Sequence, residues 1–227
     1  LFICDTNLNI LEKVKGIPHF TNVNLTYLDV YNEWWLTNND MIFMNDNIFI
    51  GNNQIFLIRW IENENNWLYY YQNKYSNIKS KDITCLFRYN DSVYIGTYYG
   101  LLIFEISKDR WTLLNEQSGL KSQYITDIEL YNNRLFISTK KGFEILNINE
   151  NILMENIELK IFEDMLVYNI DIIDNDLFLL ADNNFFKYDL SSNEIDNYIS
   201  GRYYKMEIDS MKNILLASDR KVEQLID

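Results

Sequence analysis

Short apolar runs alternate along this chain with turns built from Asn, Asp and Gly, and they do so in a fixed order. Beginning at Ile83, "ITCLFRY" carries the β-branched and aromatic residues of a strand, and "NDS" turns it. Asn and Asp tolerate the left-handed backbone that tight hairpins need. "VYIGT" is then apolar at nearly every position, the pattern of a strand covered on both faces. "YYG" turns into "LLIFEI", "SKDR" turns into "WTLLN", and "EQSGLKSQY" leads onward. The next stretch repeats the order as "ITDIELY", "NN", "RLFIST", "KKG", "FEILNI", "NEN" and "ILMENI". A third copy reads "YNIDII", "DN", "DLFLLA", "DNN", "FFKYDL", "SSNE" and "IDNYI".

The second-strand anchors fall at Leu1, Ile48, Val93, Leu135, Leu177 and Ile214, spaced by 47, 45, 42, 42 and 37 residues. Several short strands per period of roughly 40 to 45 residues mark propeller blades. A sandwich or up-and-down barrel also uses short strands, but seldom repeats a four-strand unit at near-constant period. The expected fold is therefore all-β, a β-propeller of four-stranded antiparallel blades. Complete blades are expected at 40–82, 83–124, 125–167 and 168–204, with partial ones at 1–39 and 205–227. Since the chain opens in a second strand and stops after a third, it reads as one propeller segment of a longer protein. A ring left open would expose sheet edges.

Composition narrows the function classes. With 48% hydrophobic and 15% aromatic residues, the 227-residue chain has ample material for a core. Its net charge of −13 argues against nucleic-acid binding through bulk electrostatics. No apolar run approaches the 18 residues of a membrane helix, so this segment is not expected to insert in a membrane. Cys4 and Cys85 match no zinc or redox spacing and fall in different blades, so buried free thiols are expected. Two cysteines leave the compartment open, the cytoplasm included.

Candidate chemistry is sparse. His19, the only histidine, would have to serve any Ser-His-Asp or Cys-His arrangement, yet it sits beside the only proline in a loop. Neither catalytic residues nor a metal or cofactor site is assigned. "SKDRW" (Ser107 to Trp111) resembles the Asp-box turn of sialidase-like propellers but lacks its glycine. "DIIDNDL" (Asp171 to Leu177) has calcium-like acidic spacing without the glycine or closing glutamate of an EF-hand, and parses as strand, turn, strand. Trp67 and Trp111 open equivalent outer strands, as packing residues would. Carboxylate pairs serve propeller glycosidases, and a pair assembled from separate blades has no linear signature.

The turns between second and third strands differ while the framework stays uniform. They read Asn52-Asn53, Tyr98-Tyr99, Lys140-Lys141, Asp182-Asn183 and Asp219-Arg220. In a propeller these turns share one face with the inter-blade crossings. That face is the candidate surface for a protein partner, with a carbohydrate as the alternative ligand and Tyr98 and Tyr99 as its stacking residues. Relaxed, unspecific loops would vary in the same way.

"SGLKSQYITDIELYNNRLFISTKKGFEILN" resembles the two-component-regulator type of propeller repeat. Gly119-Leu120, Ile125, Leu135 to Thr139 and Gly142 fit that pattern, as do Val93 to Thr97 with Gly100. Asn-rich turns replace the usual Asp-Gly-Asn, and Tyr94 or Phe136 stands where the repeat carries Trp. The signatures of WD40 and kelch repeats are absent. The resemblance implies a periplasmic or cell-surface bacterial propeller that binds rather than catalyses. Its relatives include polysaccharide-associated sensor regions of hybrid histidine kinases and components of type IX secretion. The functional expectation is thus a non-catalytic scaffolding segment that mediates protein–protein interaction. A carbohydrate-sensing receptor propeller and a carboxylate-based hydrolase or lyase are the alternatives.

Overall fold

The computed structural model describes residues 83–155, 159–208, 212–218 and 220–225 and, before residue 83, seven short strands. The chain is a β-propeller. From residue 83 onward the first unit is the meander β8 (Ile83–Tyr89), β9 (Ser92–Thr97), β10 (Gly100–Glu105) and β11 (Arg110–Leu114), paired in chain order. A second follows as β12 (Ile125–Tyr131), β13 (Arg134–Thr139), β14 (Gly142–Asn147) and β15 (Ile152–Met154). The third is β16 (Val167–Ile173), β17 (Asp176–Ala181), β18 (Asn184–Asp189) and β19 (Glu194–Ile199). β20 (Tyr203–Ile208), β21 (Ile214–Ser218) and β22 (Val222–Leu225) form a final three-stranded sheet.

Nearer the start of the chain, β1 (Phe2–Cys4) pairs with β2 (Ile10–Lys13). β4 (Met41–Met44), β5 (Asn47–Ile50), β6 (Leu57–Ile61) and β7 (Asn66–Tyr70) repeat the four-strand order. β3 (Trp34–Leu36) joins that sheet as a fifth strand.

The apolar second strands sit where burial is greatest. In β9, β13 and β17 every residue after the first is buried. Successive side chains point to opposite faces, so Leu135 and Ile137 pack back towards Ile103 and Ile125, while Phe136 packs forward with Val167 and Leu177. Each fully buried aliphatic or aromatic side chain of this kind contributes roughly 1.5–3 kcal/mol. A strand apolar on both faces is what sandwiching between two blades requires. The first-strand turns use left-handed backbone at Asn90, Asn132, Asn133 and Asp174, as the Asn/Asp signal implies. Cys85 is a buried free thiol; Cys4 lies in a strand whose side chains are outside the described residues.

The first strands β8, β12, β16 and β20 stand side by side as the inner wall. Each carries a register shift between its first and third residues. Such an edge strand leaves backbone N–H groups in need of acceptors. Two of them are met by the preceding blade. Asp127 Oδ2 accepts the N–H of Ile170 at 3.0 Å, and Asn169 Oδ1 accepts that of Met206 at 3.0 Å. At the far end of the same strands, the hydroxyls of Tyr89 and Tyr131 donate to Asn133 and Asn175 in the first turn of the following blade.

Candidate functional site: the turn-and-crossing face

In three of the four units described from residue 83 onward, the second turn is braced from below by the residue that ends the second strand. Thr97 donates its hydroxyl to Gly100 O at 2.8 Å and accepts the N–H of Tyr99 at 3.0 Å. Thr139 does the same with Gly142 O and the Lys141 N–H, at 3.0 and 2.9 Å. Ser218 Oγ donates to Lys221 O and accepts from Arg220 N–H. Where Ala181 lacks a hydroxyl, Asp182 takes over, accepting the N–H of Leu166 at 3.0 Å. The buried hydroxyls of Thr97 and Thr139 and the half-buried one of Ser218 hold their turns in place.

Glycine lets the end of the fourth strand close on the turn at Gly100, and the crossing close on the turn at Gly142. A Cβ on Gly100 would meet Leu114 O at 2.1 Å, and one on Gly142 would meet Phe162 O at 2.6 Å. Gly142 N–H donates to Met165 O at 2.7 Å, tying turn to crossing. Turns and crossings thereby form one surface.

On that surface Tyr98, Tyr99, Lys140, Lys141, Asp182, Asn183 and Arg220 are all exposed. Asn52, Asn53 and Asp219 lie outside the described residues. The structure brings two of the predicted turns together through a residue that the linear pattern did not single out. Tyr98 stacks on Tyr124 with ring centroids 4.4 Å apart, and the Lys140 ammonium lies 3.7 Å from the centre of the same Tyr124 ring. Tyr124 is the last crossing residue before β12, so it spans the seam between blades. Its only sequence signal is an aromatic residue directly before an inner strand. Tyr98 therefore gives one contact to its own protein, and Tyr99, 49% exposed, stands more open. Asp182 is joined instead to the crossing residue Leu166, and Asn183 O accepts the N–H of Tyr203, the first residue of β20, at 3.0 Å.

A second assembly lies on the inner wall, where carboxylates from successive blades share a register. Glu129, Asp171 and Glu207 occupy the fifth position of β12, β16 and β20, and Asp127 precedes Glu129 on the same face. Protein atoms crowd Asp127, Glu129 and Asp171 from several sides, although each keeps some contact with solvent. Burial raises Asp127, against the hydrogen bonds from Ile170 and Asn169 and the charge of Lys205. Burial, then the charges of Asp127 and Asp171, hold Glu129 well above the usual carboxylate range. Asp171 is pushed up to about 6 by burial and by Asp127, with Glu207 adding and the Ile172 N–H opposing. Lys205 pairs with Glu207 at 3.0 Å.

A carboxyl poised near pH 6 has the acid half of a glycosidase pair. Asp127, however, spends Oδ2 on the N–H of Ile170 and the amide of Asn169, which join two blades, and Oδ1 on the Ile128 N–H. Linear reading missed this assembly because its members lie 42 and 36 residues apart (129 to 171, 171 to 207). Aligning the first strands of the copies would have shown it.

The other motifs resolve as framework. "SKDRW" is a polar hairpin in which Ser107 donates to Asp91 through both its N–H and its hydroxyl, while Trp111 is buried and stacks on Phe104 at 4.3 Å. In "DIIDNDL", Asp174 forms the left-handed turn between β16 and β17. Asp176, Asp189 and Asp196 lie close enough for a cation, but the Lys187 ammonium is already 3.0 Å from Asp176 and 3.7 Å from Asp196. His19 lies outside the described residues. Among those residues no helix is long and apolar enough to cross a membrane.

Neither a protein-family model nor a curated protein sequence matches the chain. Solved structures do. The extracellular domain of BT3049, described as a hybrid two-component system of B. thetaiotaomicron, superposes with a TM-score of 0.65. It is 13% identical, over 87% of this chain and 29% of that one. The extracellular domain of BT4673 from the same organism gives 0.64 at 10% identity, over 92% and 34%. PorZ, a surface component of the type-IX secretion system of Porphyromonas gingivalis, gives 0.58 at 13%, over 87% and 28%. This chain shares their fold. Both kinds of protein implied by the repeat resemblance are thus among its structural neighbours, and the chain spans about a third or less of each.

Proposed function

We propose that this chain is a non-catalytic binding and scaffolding segment of a larger extracytoplasmic protein, and that a protein partner docks on its turn-and-crossing face. One observation carries the reading: side-chain hydroxyls brace the turns while Tyr98, Tyr124 and Lys140 join two blades in one aromatic and cationic patch. Rigid aromatic surface is well suited to binding, because little conformational entropy is lost when it is covered. The extracellular and surface-component neighbours support the location, and their greater length supports a larger parent. Asn52, Asn53 and Asp219 extend the same face by sequence.

The test is photo-crosslinking from position 99 in cells of the source organism, with position 133 on the opposite face as control. A protein adduct specific to position 99 supports the reading. Equal labelling from both positions, or none from either, defeats it.

The exposure of both Tyr98 and Tyr99 favours a carbohydrate ligand as the second reading. In that case Tyr99→Ala abolishes binding in a glycan array, whereas unchanged binding removes the tyrosine from the site.

A further inference from the structure

The fourth strands of the described blades differ in length. β11 pairs with β10 from Leu101 to Glu105, and β19 with β18 from Phe185 to Asp189. β15 covers only Ile145 to Asn147 of β14. Beyond its end lies a groove of about 780 Å³ at the rim of the turn-and-crossing face. Its walls are Ser118, Gly119 and Lys121 on one crossing, Lys160 and Glu163 on the next, and Glu144, Leu153, Met154 and Glu155, so three carboxylates face two ammonium groups.

Glu144 is out of keeping with its place. The equivalent third position of β10 is Leu102 and that of β18 is Phe186, both buried and apolar. Glu144 is buried as deeply, at 5% exposure. One carboxylate oxygen accepts the Lys121 N–H at 2.7 Å, and burial raises the group above the usual carboxylate range. The Lys121 ammonium pairs with Glu163 at 2.8 Å, and its charge opposes the burial of Glu144 without reaching it as an ion pair. Among the described residues no lysine or arginine forms an ion pair with Glu144. A buried carboxylate at the end of an open groove costs stability unless it meets a cation.

We infer that this groove receives a lysine or arginine side chain from the protein partner, the aliphatic stem lying on Leu153 and Met154 and the charged head meeting Glu144. The walls suit an amphipathic side chain, which packs its stem on apolar surface and carries its charge at the tip. A basic segment is also the electrostatic complement of a chain with net charge −13. The inference rests on the reading that a protein partner docks on this face, and it specifies that partner's chemistry.

The test is an NMR titration of the protein with N-acetyl-lysine methylamide, its arginine counterpart and the uncharged norleucine counterpart, followed at the Gly119 and Lys121 amides. Saturable shifts are expected with the two cationic probes, and Glu144→Gln should weaken them on the order of tenfold or more. The Glu144 carboxyl should titrate at lower pH when the lysine probe is bound. Glu144→Gln removes a charge without changing shape, and its amide spectrum reports that it folds. Tyr99→Ala should leave probe binding intact, which separates failure of the groove from failure of the turn-face reading. Equal response to norleucine and lysine, or no loss in Glu144→Gln, overturns the inference. Crosslinking from position 154 in the source cells should reach a protein at or beside a basic residue; an adduct to a non-protein amine alone would also overturn it.

Discussion

Asp171 stands on the inner strand β16 with the charges of Asp127 and Glu207 near it, and burial and Asp127 push its pKa from 3.8 to about 6. The folded protein therefore keeps this proton over a range in which the unfolded chain has lost it. Its favourable contribution is complete below pH 3.8 and disappears as the pH climbs through 6. Each tenfold displacement is worth about 1.4 kcal/mol, so ionising Asp171 in the fold costs up to about 3 kcal/mol. Asp171→Asn keeps the shape and an acceptor for the Ile172 N–H while removing the charge. We expect the variant to match the wild type near pH 3.5, to gain stability between pH 4 and 6, and to level off above pH 7.

The assay is urea unfolding of both proteins across that range, comparing ΔG at each pH. Taking the difference isolates Asp171 from Glu105, Glu163, Asp189 and Glu223, whose pKa values are lowered and whose own pH dependence runs the other way. A difference that does not vary with pH, or a variant less stable at pH 8, would refute the argument that burial and the neighbouring Asp127 disfavour the Asp171 carboxylate.

Three further outcomes test the framework. Gly142→Ala meets Phe162 O at 2.6 Å with φ at +80° and should cost well over 1 kcal/mol in urea unfolding, whereas Gly119→Ala has room at 3.6 Å and should cost roughly the 1–2 kcal/mol of left-handed backbone alone. A Cβ on Gly96 would lie 2.4 Å from Cys85 Sγ, so Gly96→Ala should cost about 1–3 kcal/mol. Adding Cys85→Ala should recover part of that, as a coupling above about 0.5 kcal/mol in a double-mutant cycle. Asp127→Ala strands the Ile170 N–H and the Asn169 amide, for about 1–3 kcal/mol, and the Ile170 amide should exchange with solvent faster than its neighbours in β16.

The sequence by itself determined the blade. Strand order, turn positions and doubly covered second strands all follow from local rules: alternation, Asn/Asp turns and the recurrence of one unit about every 42 residues. "VYIGT" and "RLFIST" declare their own burial, and the Thr that ends each proves to be the brace of the turn beyond it. The face carrying Tyr98, Tyr99, Lys140 and Lys141 followed from the same grammar. What meets across a seam between blades did not. Tyr124 between Tyr98 and Lys140, Asp127 on the Ile170 N–H and the groove at Glu144 all join residues from different strands or blades. Such contacts depend on how far one blade is rotated against the next, and no local pattern encodes that angle. The aligned third strands put Glu144 where the sister blades carry leucine and phenylalanine, but only the packed structure shows that those stand beside full-length fourth strands while β15 stops short and leaves the Glu144 carboxylate at the end of a groove.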